Sequence, residues 1–76
     1  MGNTLDSMKI GERGKIIRVN SEELQIALMK LGVLPGDQFW VSNVAPLGDP
    51  IAITINRTKV SLRRKDASFV IVEPNK

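Results

Sequence analysis

The chain contains no cysteine, no histidine and no tyrosine. Without cysteine no disulfide can staple the fold, and without cysteine and histidine thiolate and imidazole metal sites are excluded. A carboxylate-only site would still be chemically sound, but the eight acidic residues are scattered rather than paired. The same absences remove the commonest nucleophile and the commonest general base, so neither an enzyme nor a cofactor is expected. Aromatic content is low, with one tryptophan and two phenylalanines. No apolar run approaches the ~20 residues that span a bilayer. The N-terminus is too polar for a signal peptide. Met1-Gly2 lacks the Ser or Thr that N-myristoylation wants at position 6, which is Asp6. The expected location is the cytoplasm.

What is present is one small domain's worth of chain. Seventy-six residues bury a limited fraction of their surface and give modest stability. The formal charge of +3 is compatible with nucleic acid, an anionic membrane surface or an acidic partner, and selects none of them.

Residues 1–4 read as a flexible tail, 5–73 as one domain and 74–76 as a second tail. Leu5, Met8 and Ile10 supply apolar anchors ahead of Gly11-Glu12-Arg13-Gly14, a turn whose glycines can take positive φ. Lys15–Val19 reads as a strand with Ile16 and Val19 inward, which breaks strict alternation and requires a bulge. Asn20 is placed as an N-cap, with Glu23 completing a capping box, and a helix runs to about Leu31 before Gly32 stops it. Leu34-Pro35-Gly36-Asp37 is a type II turn by residue choice.

A strand over 39–44 follows, then the stiff connection Ala45-Pro46-Leu47-Gly48-Asp49-Pro50, then Ile51–Ile55 with its three isoleucines on one face. Asn56-Arg57 makes a hairpin turn into a strand carrying Val60 and Leu62. Arg63–Ala67 reads as a single helical turn, and Phe69–Val72 as a closing strand. Five short strands and one inserted helix imply a mainly β fold with one or two short helices, closed as a small β-barrel to hide its edges.

Three surfaces stand out. On the helix, Leu24, Ala27, Leu28 and Leu31 share a stripe, whereas Ile26 and Met29 lie roughly 200° and 140° away from Leu24. Either a partner or a neighbouring segment such as Leu5–Ile10 covers that second apolar face. Trp40 should face outward between Phe39 and Val41, as an interface residue or, more simply, tucked under a loop with its indole N–H paired. Arg57, Lys59, Arg63, Arg64 and Lys65 form a basic cluster that would suit phosphate, an acidic protein face or an anionic membrane. A single-strand nucleic-acid binder needs more aromatic platforms than this chain offers, and a solvated face is the plainer explanation. Leu47 at the tip of the Pro-rich connection is a further contact candidate.

The two stretches Leu28-Met29-Lys30-Leu31-Gly32-Val33-Leu34-Pro35-Gly36 and Val44-Ala45-Pro46-Leu47-Gly48-Asp49-Pro50-Ile51 resemble the signature of the ferrous iron transport protein A (FeoA) family. Val60-Ser61-Leu62-Arg63, Lys65-Asp66-Ala67 and Val70-Ile71-Val72 fit its C-terminal part, so the resemblance covers Leu5 to Glu73. It implies an SH3-like barrel and a small cytoplasmic accessory of bacterial ferrous iron uptake. Its partner would be the FeoB membrane transporter with its G-protein domain, which would hold it peripherally at the inner membrane. It offers no catalytic or iron-ligating residues to carry over. The chain departs from many members in having Gln25 where they carry a basic residue, which affects the detail of docking. Related SH3-like domains end iron-dependent repressors, and the free-standing form is the expectation here. Ile26 and Met29 are the leading candidates for partner contact, with Trp40, Leu47, Arg63, Arg64 and Lys65 behind them, and the apolar helix face also permits self-association.

Overall fold

The computed structural model describes residues 3–75. Six strands form one antiparallel sheet: β1 (Asn3–Thr4), β2 (Arg13–Val19), β3 (Gln38–Val44), β4 (Ile51–Ile55), β5 (Thr58–Leu62) and β6 (Val70–Pro74). A 3-10 turn (Leu5–Ser7), helix α1 (Glu22–Lys30) and the single-turn helix α2 (Arg64–Ala67) complete it. The hydrogen-bonded order is β1-β6-β2-β3-β4-β5. The near-equal extents of 28 × 26 × 24 Å show a sheet rolled around its buried face. The result is the expected SH3-like, barrel-like form, but the described ladder stays open between β1 and β5.

The alternation of the strands decides which face is buried. Ile51, Ile53 and Ile55 of β4 meet Val41 and Phe39 of β3, Val60 and Leu62 of β5, and Leu5, Ile16, Val70 and Val72 in one core. The bulge expected in β2 lies between Ile16 and Arg18, leaving Ile17 exposed and Val19 packed on the core. Asn56 and Arg57 both have positive φ, the type I′ geometry that matches a two-residue hairpin to strand twist. At 34–37, Gly36 has φ +96° and the Asp37 N–H donates to the Leu34 carbonyl, as a type II turn requires.

Several expectations are corrected. Asn3 and Thr4 are not a tail: they pair with Val72 and Ile71, and Pro74 sits opposite Gly14 at the far end of β6. Met1, Gly2 and Lys76 lie outside the described residues. The N-cap of α1 is Ser21, whose hydroxyl accepts from the Leu24 N–H, while the Asn20 side chain accepts from Arg18 Nε. Ile10 is exposed rather than an anchor. Gly14 belongs to β2 and needs no positive φ. It is required by close approach, because a Cβ there would stand 2.9 Å from the Glu73 carbonyl oxygen and 3.2 Å from the Phe39 ring.

The end of α1 holds a larger correction. Leu31 was expected inward but caps the helix and is exposed. The Gly32 N–H donates to the Met29 carbonyl and the Val33 N–H to the Leu28 carbonyl, the paired bonds of a Schellman stop. That turn swings Val33 into the core beside Leu28, so Val33 occupies the place that extrapolating the helical wheel assigned to Leu31. Ala27 is exposed as well, and α1 faces the core through Leu28 and half-buried Leu24 alone.

Candidate interaction surfaces

Helix α1 and its stop leave four apolar side chains exposed. Ile26 and Met29 are three apart on the helix, hence neighbours on one side, and both point away from the core. Together with Leu31 and Leu34 just beyond the C-terminus they remain 47 to 54 % exposed. The N-terminal segment therefore does not cover Ile26 and Met29. Leu31 and Leu34 were missed from sequence because their exposure follows from the Schellman turn. Gly32 was read as the stop, but the signal not used was Val33 after it, the apolar residue that a Schellman reversal brings back to the helix.

Trp40 is 44 % exposed, more open than a residue tucked under a loop. It lines a shallow cavity of about 410 Å³ with Arg13, Gln38, Phe39, Thr54, Asn56, Arg57 and Asn75. The pairing register explains this company. Arg13 lies directly across from Trp40, Trp40 from Thr54, and Thr54 from Lys59, so these four side chains share the outer face of the sheet. Arg13 was missed because Gly11–Gly14 read as a turn, which hid its place in β2.

The basic cluster divides. Arg64 is committed within the fold: its Nε donates to the Gly48 carbonyl at 2.9 Å and its Nη1 to the Asp6 carbonyl at 2.7 Å. Its backbone N–H donates to Asp49 Oδ1 at 3.0 Å, so the loop carboxylate caps the first turn of α2. Arg64, exposed like its neighbours, thus also serves as a clamp holding the 45–50 loop against α2 and the 3-10 turn. Arg63 and Lys65 are exposed on either side of it. Leu47 projects from the loop at 96 % exposure, on a turn closed by the Gly48 N–H donating to the Ala45 carbonyl. These surfaces are separate features rather than one assembled site. Among the described residues no group of three or more Asp or Glu side chains is placed to hold a metal ion.

A rolled six-stranded sheet with a loosely seated helix, exposed apolar side chains and clustered cations defines a small SH3-like module suited to contact. The chain belongs to the FeoA domain family, whose model matches residues 3–74. Over 70 residues, 91 % of the chain, it is 33 % identical to a Fe(2+) transport protein A/Fe(2+) transporter FeoB fusion protein of Porphyromonas gingivalis (strain ATCC BAA-308 / W83). The chain spans 8 % of that protein's length. The solution structure of the FeoA protein from Chlorobium tepidum is similar with a TM-score of 0.87 and 33 % identity, over 93 % of this chain and 69 % of that one. A manganese-dependent transcriptional repressor also reaches a TM-score of 0.87, over 97 % of this chain and 41 % of the repressor. At 16 % identity that likeness is one of fold alone.

Proposed function

We propose that the chain is a non-catalytic accessory of ferrous iron transport that binds and modulates a FeoB-type transporter from its cytoplasmic side. The observation that carries this is the unpartnered apolar surface of α1. Ile26, Met29, Leu31 and Leu34 each keep about half their area in water. Completing their burial contributes ~1 kcal/mol per side chain, and Met adapts to an irregular partner surface. The Porphyromonas fusion protein supports the choice of partner, since its name joins transport protein A to FeoB in one polypeptide. Such a linkage raises the effective concentration of one module at the other and lets a modest interface suffice.

No helix among the described residues is long and apolar enough to cross a membrane, so in this reading the protein reaches the bilayer through its partner. The test is retention of the 76-residue chain by nanodiscs carrying the ferrous iron transporter of its own organism, against empty nanodiscs. Retention by the transporter alone is the expected result. Equal retention by both, or by neither, rules the proposal out.

A further inference from the structure

We propose that the Arg13–Trp40–Arg57 face of the sheet is a second binding site, one that takes an acidic peptide segment in extended conformation. It uses none of the α1 residues and does not rest on the transporter reading. The argument begins with the register. Arg13, Trp40, Thr54 and Lys59 stand opposite one another on β2, β3, β4 and β5, so one row across the sheet has a cation at each end and an exposed indole inside. Arg57, at the tip of the β4–β5 hairpin, joins Arg13 and Trp40 in lining the cavity.

No acidic side chain lines that cavity. Asp37, adjacent to Gln38, has its Oδ2 already accepting from the Leu34 N–H and from Asn56 Nδ2. Asp37 and Glu73, the latter across from Lys15, stand outside the cavity lining, so Arg13 and Arg57 share the cavity with no carboxylate. A guanidinium offers the planar, bidentate geometry that a carboxylate matches, and the indole offers an apolar plate. Gln38, Asn56 and Asn75 add side-chain amides, which can both donate to and accept from a peptide backbone.

The spacing selects the ligand. Three interstrand steps separate Arg13 from Lys59, about 14 Å at ~4.8 Å per step. An extended peptide crossing the strands at ~3.3 Å per residue places carboxylates about four residues apart over that distance. An apolar residue midway would fall between Trp40 and Thr54, within reach of the indole's apolar plate. A single-stranded nucleic acid would meet the cations equally well, but it would find one aromatic platform where successive bases need several.

The chain's only tryptophan is the reporter, so intrinsic fluorescence reads occupancy without a label. The probe is the peptide Ac-Glu-Ser-Leu-Ser-Glu-NH2, titrated at low salt beside its Gln-for-Glu counterpart and beside hexathymidylate. The expected result is a saturable change in Trp40 emission with the Glu peptide and an apparent affinity at least about tenfold weaker for the Gln peptide, as charge-assisted pairs predict. Arg13→Gln and Lys59→Gln, at the two ends of the row, should each weaken the Glu peptide by a similar factor, as should Arg57→Gln, with an unchanged circular dichroism spectrum. Should any of these variants fail to fold, the comparison of the two peptides on the native chain decides alone. No saturable change up to millimolar peptide, an equal response to the Gln peptide, or a tighter response to hexathymidylate overturns the proposal.

Discussion

The Arg64 guanidinium donates to the carbonyl oxygen of Gly48, sixteen residues earlier in the chain, at 2.9 Å. Its other arm reaches the Asp6 carbonyl, so one side chain fastens the 45–50 loop, the start of α2 and the N-terminal 3-10 turn together. Charge-assisted hydrogen bonds contribute ~1.5–3 kcal/mol each when sheltered, and exposure at this site places the pair nearer ~1–2 kcal/mol in all. Arg64→Ala should lower Tm by roughly 4–15 °C in a domain of this size, read by circular dichroism. Arg64→Lys should rescue little, because a compact ammonium cannot reproduce the fork. Lys65→Ala, one residue on, should leave Tm unchanged, and a matching loss there would show that general charge rather than the clamp sets the effect.

Gly14 tests the close approach of β2 and β6. Its missing side chain leaves room for the Phe39 ring, and an added methyl would meet the Glu73 carbonyl at 2.9 Å. Gly14→Ala should destabilise by ~1–3 kcal/mol, the usual cost of forcing atoms into a packed region. Urea unfolding gives the value directly. A neutral result would mean that the strands separate more easily than the packing implies.

Val33 and Leu31 form a contrasting pair. Val33→Ala removes two buried methyls behind the Schellman stop and should cost about 2 kcal/mol. Leu31→Ser, on the exposed cap, should change stability by less than ~0.5 kcal/mol. Were the costs reversed, Leu31 would be the core residue that the helical wheel first suggested.

Leu47→Ser should be silent in thermal unfolding, since the side chain is 96 % exposed. A weaker association with nanodisc-bound transporter in this variant would make the loop part of the docking surface. Unchanged association would exclude the loop from the docking surface.

Much of the fold was legible because its signals are local. Ile51, Ile53 and Ile55 alternate within one strand, Asn56-Arg57 fits a two-residue turn, and Pro35-Gly36 fixes another. The misplaced residues are those whose position depends on chain far away. Leu31 was put on the core stripe of the helix that Gly32 stops, a place the reversal gives to Val33, and the bonds of Arg64 to carbonyls sixteen and fifty-eight residues distant had no local signal. Arg13 acquires its meaning only from the register that sets it against Trp40. Ile26 and Met29 were legible as surplus apolar positions because a nine-residue helix has one core face to satisfy. Whether a neighbouring segment covered them was a tertiary matter, and the structure leaves them open.

The central claim, that the outer face of α1 docks on a FeoB-type transporter, is tested most directly by the double variant Ile26→Asp/Met29→Asp. Its affinity for transporter in nanodiscs should be measured beside its Tm. Two carboxylates on this face remove the apolar contact and add a desolvation cost, so the account predicts an affinity at least about a hundredfold weaker with Tm within roughly 5 °C of the parent chain. A folded variant that binds the transporter as tightly as the parent would contradict it.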